Sequence, residues 1–195
     1  MLPLVDSPEN VLELARACEK YVVQALGFQL DYTIETLPVL DQYTREVKGP
    51  ISARPELLPL LGHAVGAYFG EVLCRSASAF WRLPSTNVVD WQVCMRQTFL
   101  WFNPIGAAYD ALTAGNQHDG PSSQLRVAPE DRSLVQARLE RLEHVPEDEY
   151  FLLSTRVEVI ELVCEELCRQ MEERGYSDTT FDESDYEAEQ SPVLL

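Results

Sequence analysis

Three side chains in this sequence could carry acid/base chemistry: Glu71, His63 and His118. Glu71 is the only carboxylate in the apolar stretch 57–74, where burial would suit it to proton transfer. The same position also predicts an ion pair, because Arg75 follows one helical turn later. His63 precedes Glu71 by eight residues and therefore lies about 80° around a helix from it. His118 falls in the loop-like stretch 115–128, where catalytic residues often lie.

These residues support two interpretations. One is an enzyme that uses Glu71 with His63 or His118 as acid and base. The other is a structural role, with Glu71 in an ion pair and histidines hydrogen-bonded at the edge of the core. Neither Ser76 nor Ser78 is framed by the glycines of a nucleophile elbow, and the chain has no glycine-rich phosphate loop, dinucleotide-binding fingerprint or metalloprotease motif. We therefore predict no cofactor and favour a protein that is not an enzyme.

The five cysteines are scattered and odd in number, which is typical of a reduced cytosol. Cys164 and Cys168 are one helical turn apart, as two metal ligands would be, but no second pair or neighbouring histidine completes the set. We predict buried thiols and no metal site. The N-terminal residues lack the features of a signal peptide, so we expect a cytoplasmic protein.

Charge gives the strongest indication of function. The chain has 32 acidic and 15 basic residues and a formal net charge of −17. Beyond residue 128 there are 19 of the acids and 6 of the bases, so the acidity belongs to the C-terminal third. This field would repel nucleic acid and anionic membrane surfaces and would attract a basic protein.

Residues 176–195 contain six acids and no base, and we predict a disordered tail there. Tyr176, Phe181 and Tyr186 recur every five residues in this tail. Together with Asp182 and Asp185, they form the pattern of a recognition segment whose aromatic side chains anchor a partner while the carboxylates steer towards a basic surface. The alternative is a solubilising tail without a partner.

Hydrophobic periodicity predicts about six helices and a small sheet. The helices are expected at 8–27, 36–48, 55–75, 103–115, 129–143 and 147–174, and the three strands at 80–83, 88–95 and 98–102. Gly62, Gly66 and Gly70 share one face of the third helix, where each costs about 1 kcal/mol relative to alanine. We expect another backbone to pack closely against that face, and the sheet to pack on this helix.

Two groups of apolar residues have open interpretations. The last helix carries a heptad stripe, which either packs on the domain's own core or forms a homodimer. The stripe is Leu153, Val157, Ile160, Cys164, Leu167 and Met171. Trp81, Trp91 and Trp101 lie at strand spacing, where they either fill a core or form an exposed aromatic platform.

Two stretches resemble a family of small bacterial proteins known as domains of unknown function. They are Leu30-Asp31-Tyr32 followed by residues 36–41, and Leu60-Leu61-Gly62 followed by residues 66–72, which read GAYFGEV. The resemblance covers residues 25–112 and implies an α+β domain in a bacterial cytosol, with no known reaction and no catalytic residues to carry over.

The sequence thus predicts an α+β domain over residues 1–175, with about six helices around a three-stranded antiparallel sheet, and a disordered acidic tail over 176–195. The function we predict is non-catalytic binding of a basic protein partner, in the manner of a regulatory or immunity protein.

Overall fold

A computed structural model of the chain describes residues 7–116, 118–140, 146, 149–188 and 193–194. Within these residues the chain forms α-helices and an antiparallel sheet, so the predicted α+β class is confirmed. The helices are α1 (Glu9–Leu26), α2 (Leu37–Ala53), α3 (Leu57–Ser76), α4 (Pro104–Thr113), α5 (Arg132–Leu139), α6 (Leu153–Glu173) and α7 (Glu183–Ala188). The strands are β1 (Ala79–Arg82), β2 (Gln92–Met95), β3 (Leu100–Phe102), β4 (Arg126–Val127) and β5 (Val193–Leu194).

The sheet differs from the predicted three strands. The described strands pair in chain order, each antiparallel to the next, and the two-residue strands β4 and β5 extend the sheet beyond β3. Strands this short contain no alternation that could be recognised in the sequence. The predicted second strand is also shorter than expected, because residues 88–90 form a 3₁₀ turn whose Val89 N–H donates to the Asn87 side chain.

Helix α3 lies at the centre, between α1, α4 and the sheet, and the predicted role of its glycines is confirmed. A Cβ atom on Gly66 would collide with the backbone of Ile105 at the start of α4. A Cβ atom on Gly62 would collide with the Tyr109 ring, and one on Gly70 with the Trp81 ring. The glycine face therefore accepts one helix backbone and two aromatic rings at contact distance, which accounts for its cost in helix propensity.

By length and composition α3 could cross a membrane, but 72% of its most apolar window is buried inside the domain. This burial is typical of the core helix of a folded domain. Trp81 and Trp91 are also buried, whereas Trp101 is partly exposed on the opposite side of the sheet, where the Arg126 guanidinium lies over its ring.

Local signals set most helix ends. Asn103 caps α4 by accepting from the backbone N–H groups of Ile105 and Gly106, as the Asn-Pro pair predicts. The predicted end of α2 at 48–50 is wrong, because the helix continues through Pro50 to Ala53. Pro50 lies in the last turn of the helix, where it removes a single backbone donor. Ile51, in the same turn, is buried.

Helix α6 begins at Leu153, six residues later than predicted, and its start is fixed by a distant side chain. The Asp41 carboxylate, on α2, accepts from the Leu153 N–H at 2.7 Å and from the Ser154 N–H and hydroxyl at 3.2 and 2.6 Å. This cap comes from another helix, so the sequence near residue 153 does not reveal it. Asp41 itself is buried.

The C-terminal residues differ from the predicted disordered tail. Residues 176–188, here called the C-terminal segment, lie against the sheet and end in α7, and Tyr186 is 5% exposed. The pattern of acids suggested a solvated chain, but the aromatic side chains among them are long enough to reach an apolar surface of the same domain. Residues 189–192 and 195 lie outside the described residues.

Candidate functional site

The residues predicted to bind a partner fall into two groups in the C-terminal segment. Tyr176, Asp182 and Asp185 are exposed, with Tyr176 at 61%. Phe181 is half-buried and Tyr186 is buried, so both are occupied within the chain. The structure therefore leaves the two carboxylates exposed and uses two of the three aromatic side chains to hold the segment in place.

Tyr186 lies in a socket formed by the turn between β2 and β3. Its hydroxyl oxygen lies 2.6 Å from the carbonyl oxygen of Met95, 3.0 Å from that of Thr98 and 3.3 Å from that of Leu100. A phenol has one hydrogen to donate, so three acceptors converge on a single donor. Burial raises the pKa of Tyr186 well above its usual value, and the phenol therefore stays protonated as this geometry requires.

Aromatic contacts extend from this socket along the segment. The Tyr186 ring stacks on Phe99 with centroids 4.6 Å apart and meets Phe80 edge-on at 5.8 Å. Phe181 meets Phe99 edge-on at 5.7 Å and Tyr186 at 6.4 Å, and its backbone N–H donates to the Arg96 carbonyl at 2.7 Å. The segment is thus fixed at two points, five residues apart.

Arginines surround this contact. In the sheet register, Phe80, Cys94, Trp101 and Arg126 share the face that points away from α3, which we call the outer face. Arg82 lies on the same side of β1, and the Arg96 guanidinium lies 4.5 Å from the centre of the Phe80 ring. Hydrogen bonds from Ser184, followed by weaker effects that include the positive charge of Arg96, lower the pKa of Asp182 and keep it ionised.

A second acidic surface lies on α6. Glu158, Glu161, Glu165 and Glu172 are exposed and lie within about 60° of one another around the helix. None of them has an ion-pair partner in the described part of the chain. Arg169, the basic residue on this face, pairs with Glu166 and Glu173.

The opposite side of α6 carries the heptad stripe, which packs inside the domain against α2, α4 and α5. Four of the six stripe residues are at most 3% exposed: Leu153, Val157, Ile160 and Leu167. They therefore present no surface to a second copy in this structure. Among the described residues no group of three or more His, Cys, Asp or Glu side chains could hold a metal ion.

Glu71 occupies a fully bonded position beneath the sheet. Its side chain is 1% exposed, accepts from the Trp81 indole N–H at 2.9 Å and forms the predicted ion pair with Arg75 at 3.3 Å. Arg75 in turn lies over the Tyr32 ring. These partners contact both oxygens of the carboxylate and connect α3 to β1.

The structure brings His63 and His118 together but leaves Glu71 apart from them. Both imidazoles lie beside Tyr109, whose hydroxyl is 3.5 Å from His63 Nε2 and whose ring centre is 5.1 Å from that of His118. Glu71 is about 12 Å further along α3 than His63, from the helical rise of eight residues. The three residues of the acid/base interpretation thus do not form one cluster.

Both nitrogens of His118 are occupied. Its Nδ1 accepts from the Gly120 N–H at 3.1 Å, so Nε2 carries the hydrogen and donates to Asp110 at 3.0 Å. The imidazole therefore ties the loop at 118–120 to α4. Burial lowers the pKa of His63, which favours its neutral form.

Comparisons of the chain with protein-family models, with curated proteins and with solved structures find no match.

Sequence reasoning missed two polar residues that organise the structure. Asp41 caps α6, and Asp110 accepts the hydrogen bond that orients His118. Asp110 lies on α4, eight residues before His118. The chain between them leaves the helix, so their spacing in the sequence does not indicate that the two side chains meet. The Tyr109 ring also organises this region, because a Cβ on either Gly62 or Gly120 would collide with it.

Proposed function

We propose that this protein is a non-catalytic interaction protein of the bacterial cytosol that binds a basic protein partner through the acidic face of α6 and the C-terminal segment. The observation that carries the proposal is the set of four exposed carboxylates on α6 without ion-pair partners among the described residues. Like charges at this spacing repel one another and cost helix stability. A basic partner would relieve that repulsion.

The C-terminal segment extends this surface. The β2–β3 turn contacts both parts, because the Thr98 hydroxyl lies 3.8 Å from Cys164 Sγ on α6 and the Thr98 carbonyl lies 3.0 Å from the Tyr186 hydroxyl. The turn therefore links the segment to α6 through a residue of the heptad stripe, and the proposed partner would contact the segment as well as the acidic face of that helix.

Docking of the segment makes its carboxylates better ligands. Asp182 is held by hydrogen bonds from the Ser184 N–H and hydroxyl, at 2.8 and 2.6 Å, and Phe181 and Tyr186 fix the backbone on either side. A partner would thus lose less conformational entropy than it would on binding a free tail. Asp185 and the exposed ring of Tyr176 are available for direct contact.

The test is affinity capture from the cell extract of the source organism with two charge variants of the full chain. In the first, Glu158, Glu161, Glu165 and Glu172 are changed to glutamine. In the matched control the same change is made at exposed acids of other helices and loops, namely Glu13, Glu35, Glu46 and Glu56. Both variants have the same net charge, so they separate the α6 face from total charge.

We expect the wild type and the control variant to capture the same basic protein, and the α6 variant to lose it. The captured protein should also dissociate as salt is raised, because exposed charge pairs are screened. Equal capture by all three proteins would contradict the proposal, and so would capture of acidic proteins alone.

A further inference from the structure

The outer face of the sheet combines aromatic rings and positive charge in a chain whose net charge is −17. Its rings are Phe80 and Trp101, with Phe99 at the adjacent turn. Its guanidinium groups, on Arg82, Arg96 and Arg126, have no carboxylate within ion-pair distance in the described ranges. In the same ranges the Nε of Arg82 is buried without a hydrogen-bond partner. A buried donor without an acceptor is costly, so this side of the sheet has unused capacity for an anionic ligand.

The segment now seated there has the complementary chemistry. It contributes two aromatic side chains to the rings of the face, and the positive charge of Arg96 acts on its Asp182. Cys94, in the middle of the outer face, is completely buried, and the charges that act on it are those of Arg82 and, more weakly, of Glu183 in the segment. The aromatic contacts are therefore matched in shape, while the arginines stay without a carboxylate at ion-pair distance in the described ranges.

The attachment is local. Gly175 precedes the segment in a left-handed conformation, with φ of +83° and open space around it, and residues 176–180 are exposed. Two side chains, Phe181 and Tyr186, provide the described ring contacts and the carbonyl contacts. The segment lies between Gly175 and β5, which pairs with β4, and its release requires only that the Phe181 and Tyr186 side chains leave their sites while the rest of the domain stays folded.

We propose that the outer face is a peptide-binding surface for acidic segments in which a tyrosine follows another aromatic residue by five positions, and that residues 176–188 are its built-in occupant. The three carbonyl oxygens around the Tyr186 hydroxyl select a phenol over an unsubstituted ring. Phe99 contacts both aromatic side chains, whose rings also meet each other edge-on at 6.4 Å, and the arginines favour acids between them. This surface is distinct from the acidic surface on α6, and its function does not depend on a basic partner.

An occupant in the same chain excludes weak external ligands. A short tether gives the segment an effective concentration in the millimolar range, so an external segment competes poorly until the resident one is released. The free protein is therefore expected to bind such segments weakly. A variant whose own segment cannot dock is expected to bind them at least tenfold more tightly.

The test uses fluorescence anisotropy with a labelled synthetic peptide of residues 176–188. It is titrated with the full wild-type chain and with a full-length release variant that carries Phe181→Ala and Tyr186→Ala. We expect saturable binding to the release variant, at least tenfold tighter than to the wild type. Changing Phe99 to alanine in the release variant should remove the binding. A peptide with Tyr186→Phe should bind about tenfold more weakly, the effect of one lost hydrogen bond.

Three results would overturn the proposal. The first is no saturable binding to a release variant whose circular dichroism matches the wild type. The second is equal binding of a control peptide that lacks both aromatic side chains. The third is tighter binding of a twelve-residue oligothymidylate than of the peptide, which would make the face a surface for single-stranded nucleic acid.

If the double variant does not fold, Tyr186→Phe in the full chain replaces it, since it keeps the ring contacts while weakening the docking. An affinity for the peptide no higher than that of the wild type would then contradict the proposal.

Discussion

Replacing Glu71 with glutamine separates a structural carboxylate from a catalytic one. The amide would keep an oxygen for the Trp81 indole N–H but would lose the charge that strengthens this bond and the ion pair with Arg75. A hydrogen bond to a charged acceptor exceeds a neutral one by about 1 kcal/mol. The pair with Arg75, whose side chain is one-third exposed, contributes about 0.5 to 1 kcal/mol. We therefore expect the free energy of unfolding to fall by about 2 kcal/mol.

The assay is urea unfolding followed by tryptophan fluorescence, with thermal unfolding as a second measurement. A loss of about 2 kcal/mol corresponds to a fall of roughly 4 to 8 °C in Tm for a chain of this size. Glu71→Ala should cost more, about 3 to 5 kcal/mol, because the buried indole N–H loses its acceptor and Arg75 its partner. Glu46→Gln, at an exposed position on α2, should change stability by less than about 0.5 kcal/mol.

The result that refutes this reasoning is a Glu71→Gln protein as stable as the wild type. A buried carboxylate that contributes nothing to stability would then need another explanation, and the acid/base interpretation would gain. Partner binding should be unchanged by Glu71→Gln, because the side chain lies in the core, away from the acidic surface of α6.

Two further predictions test the packing and the electrostatics. Gly66→Ala should lower the free energy of unfolding by about 2 to 4 kcal/mol, because the new Cβ would collide with the Ile105 backbone. Gly49→Ala, with nothing near its Cβ, should raise it by about 0.5 to 1 kcal/mol, because alanine has the higher helix propensity. Urea unfolding of both variants shows whether steric collision or helix propensity controls the effect. Burial raises the pKa of Asp41 above 3.8 in the folded state. Its contribution to stability is therefore present below pH 3.8 and is lost as the pH rises through the folded pKa, so the stability of Asp41→Asn relative to wild type should increase as the pH rises above 3.8. A difference that does not change with pH would mean that burial does not set this pKa.

Much of the fold could be predicted because its signals are local. The Asn103-Pro104 pair starts α4, Gly27 ends α1 in a left-handed conformation with φ of +68°, and the glycine stripe of α3 indicates close packing. Each of these depends on a few neighbouring residues whose backbone preferences are strong. The ion pair between Glu71 and Arg75 follows in the same way from one helical turn.

The features that could not be predicted depend on residues far apart in the sequence. Asp41 reaches α6 across 112 residues, and Tyr186 reaches the carbonyl oxygen of Met95 across 91. Composition described residues 176–188 correctly as acidic, yet it could not show that Phe99 lies where two aromatic side chains of the segment meet it. Residue type alone therefore indicates the candidate site. Only the structure shows that Phe181 and Tyr186 pack against the sheet while Tyr176, Asp182 and Asp185 are exposed.

The measurement that tests the central claim most directly is the affinity of the captured partner, by isothermal titration calorimetry at two salt concentrations. It compares the wild type, the variant with four glutamines on α6 and the matched control. We predict at least a tenfold loss of affinity for the α6 variant at low salt, little change for the control, and a smaller difference between them at high salt. Equal affinity of all three proteins at both salt concentrations would contradict the claim that the acidic face of α6 binds the partner.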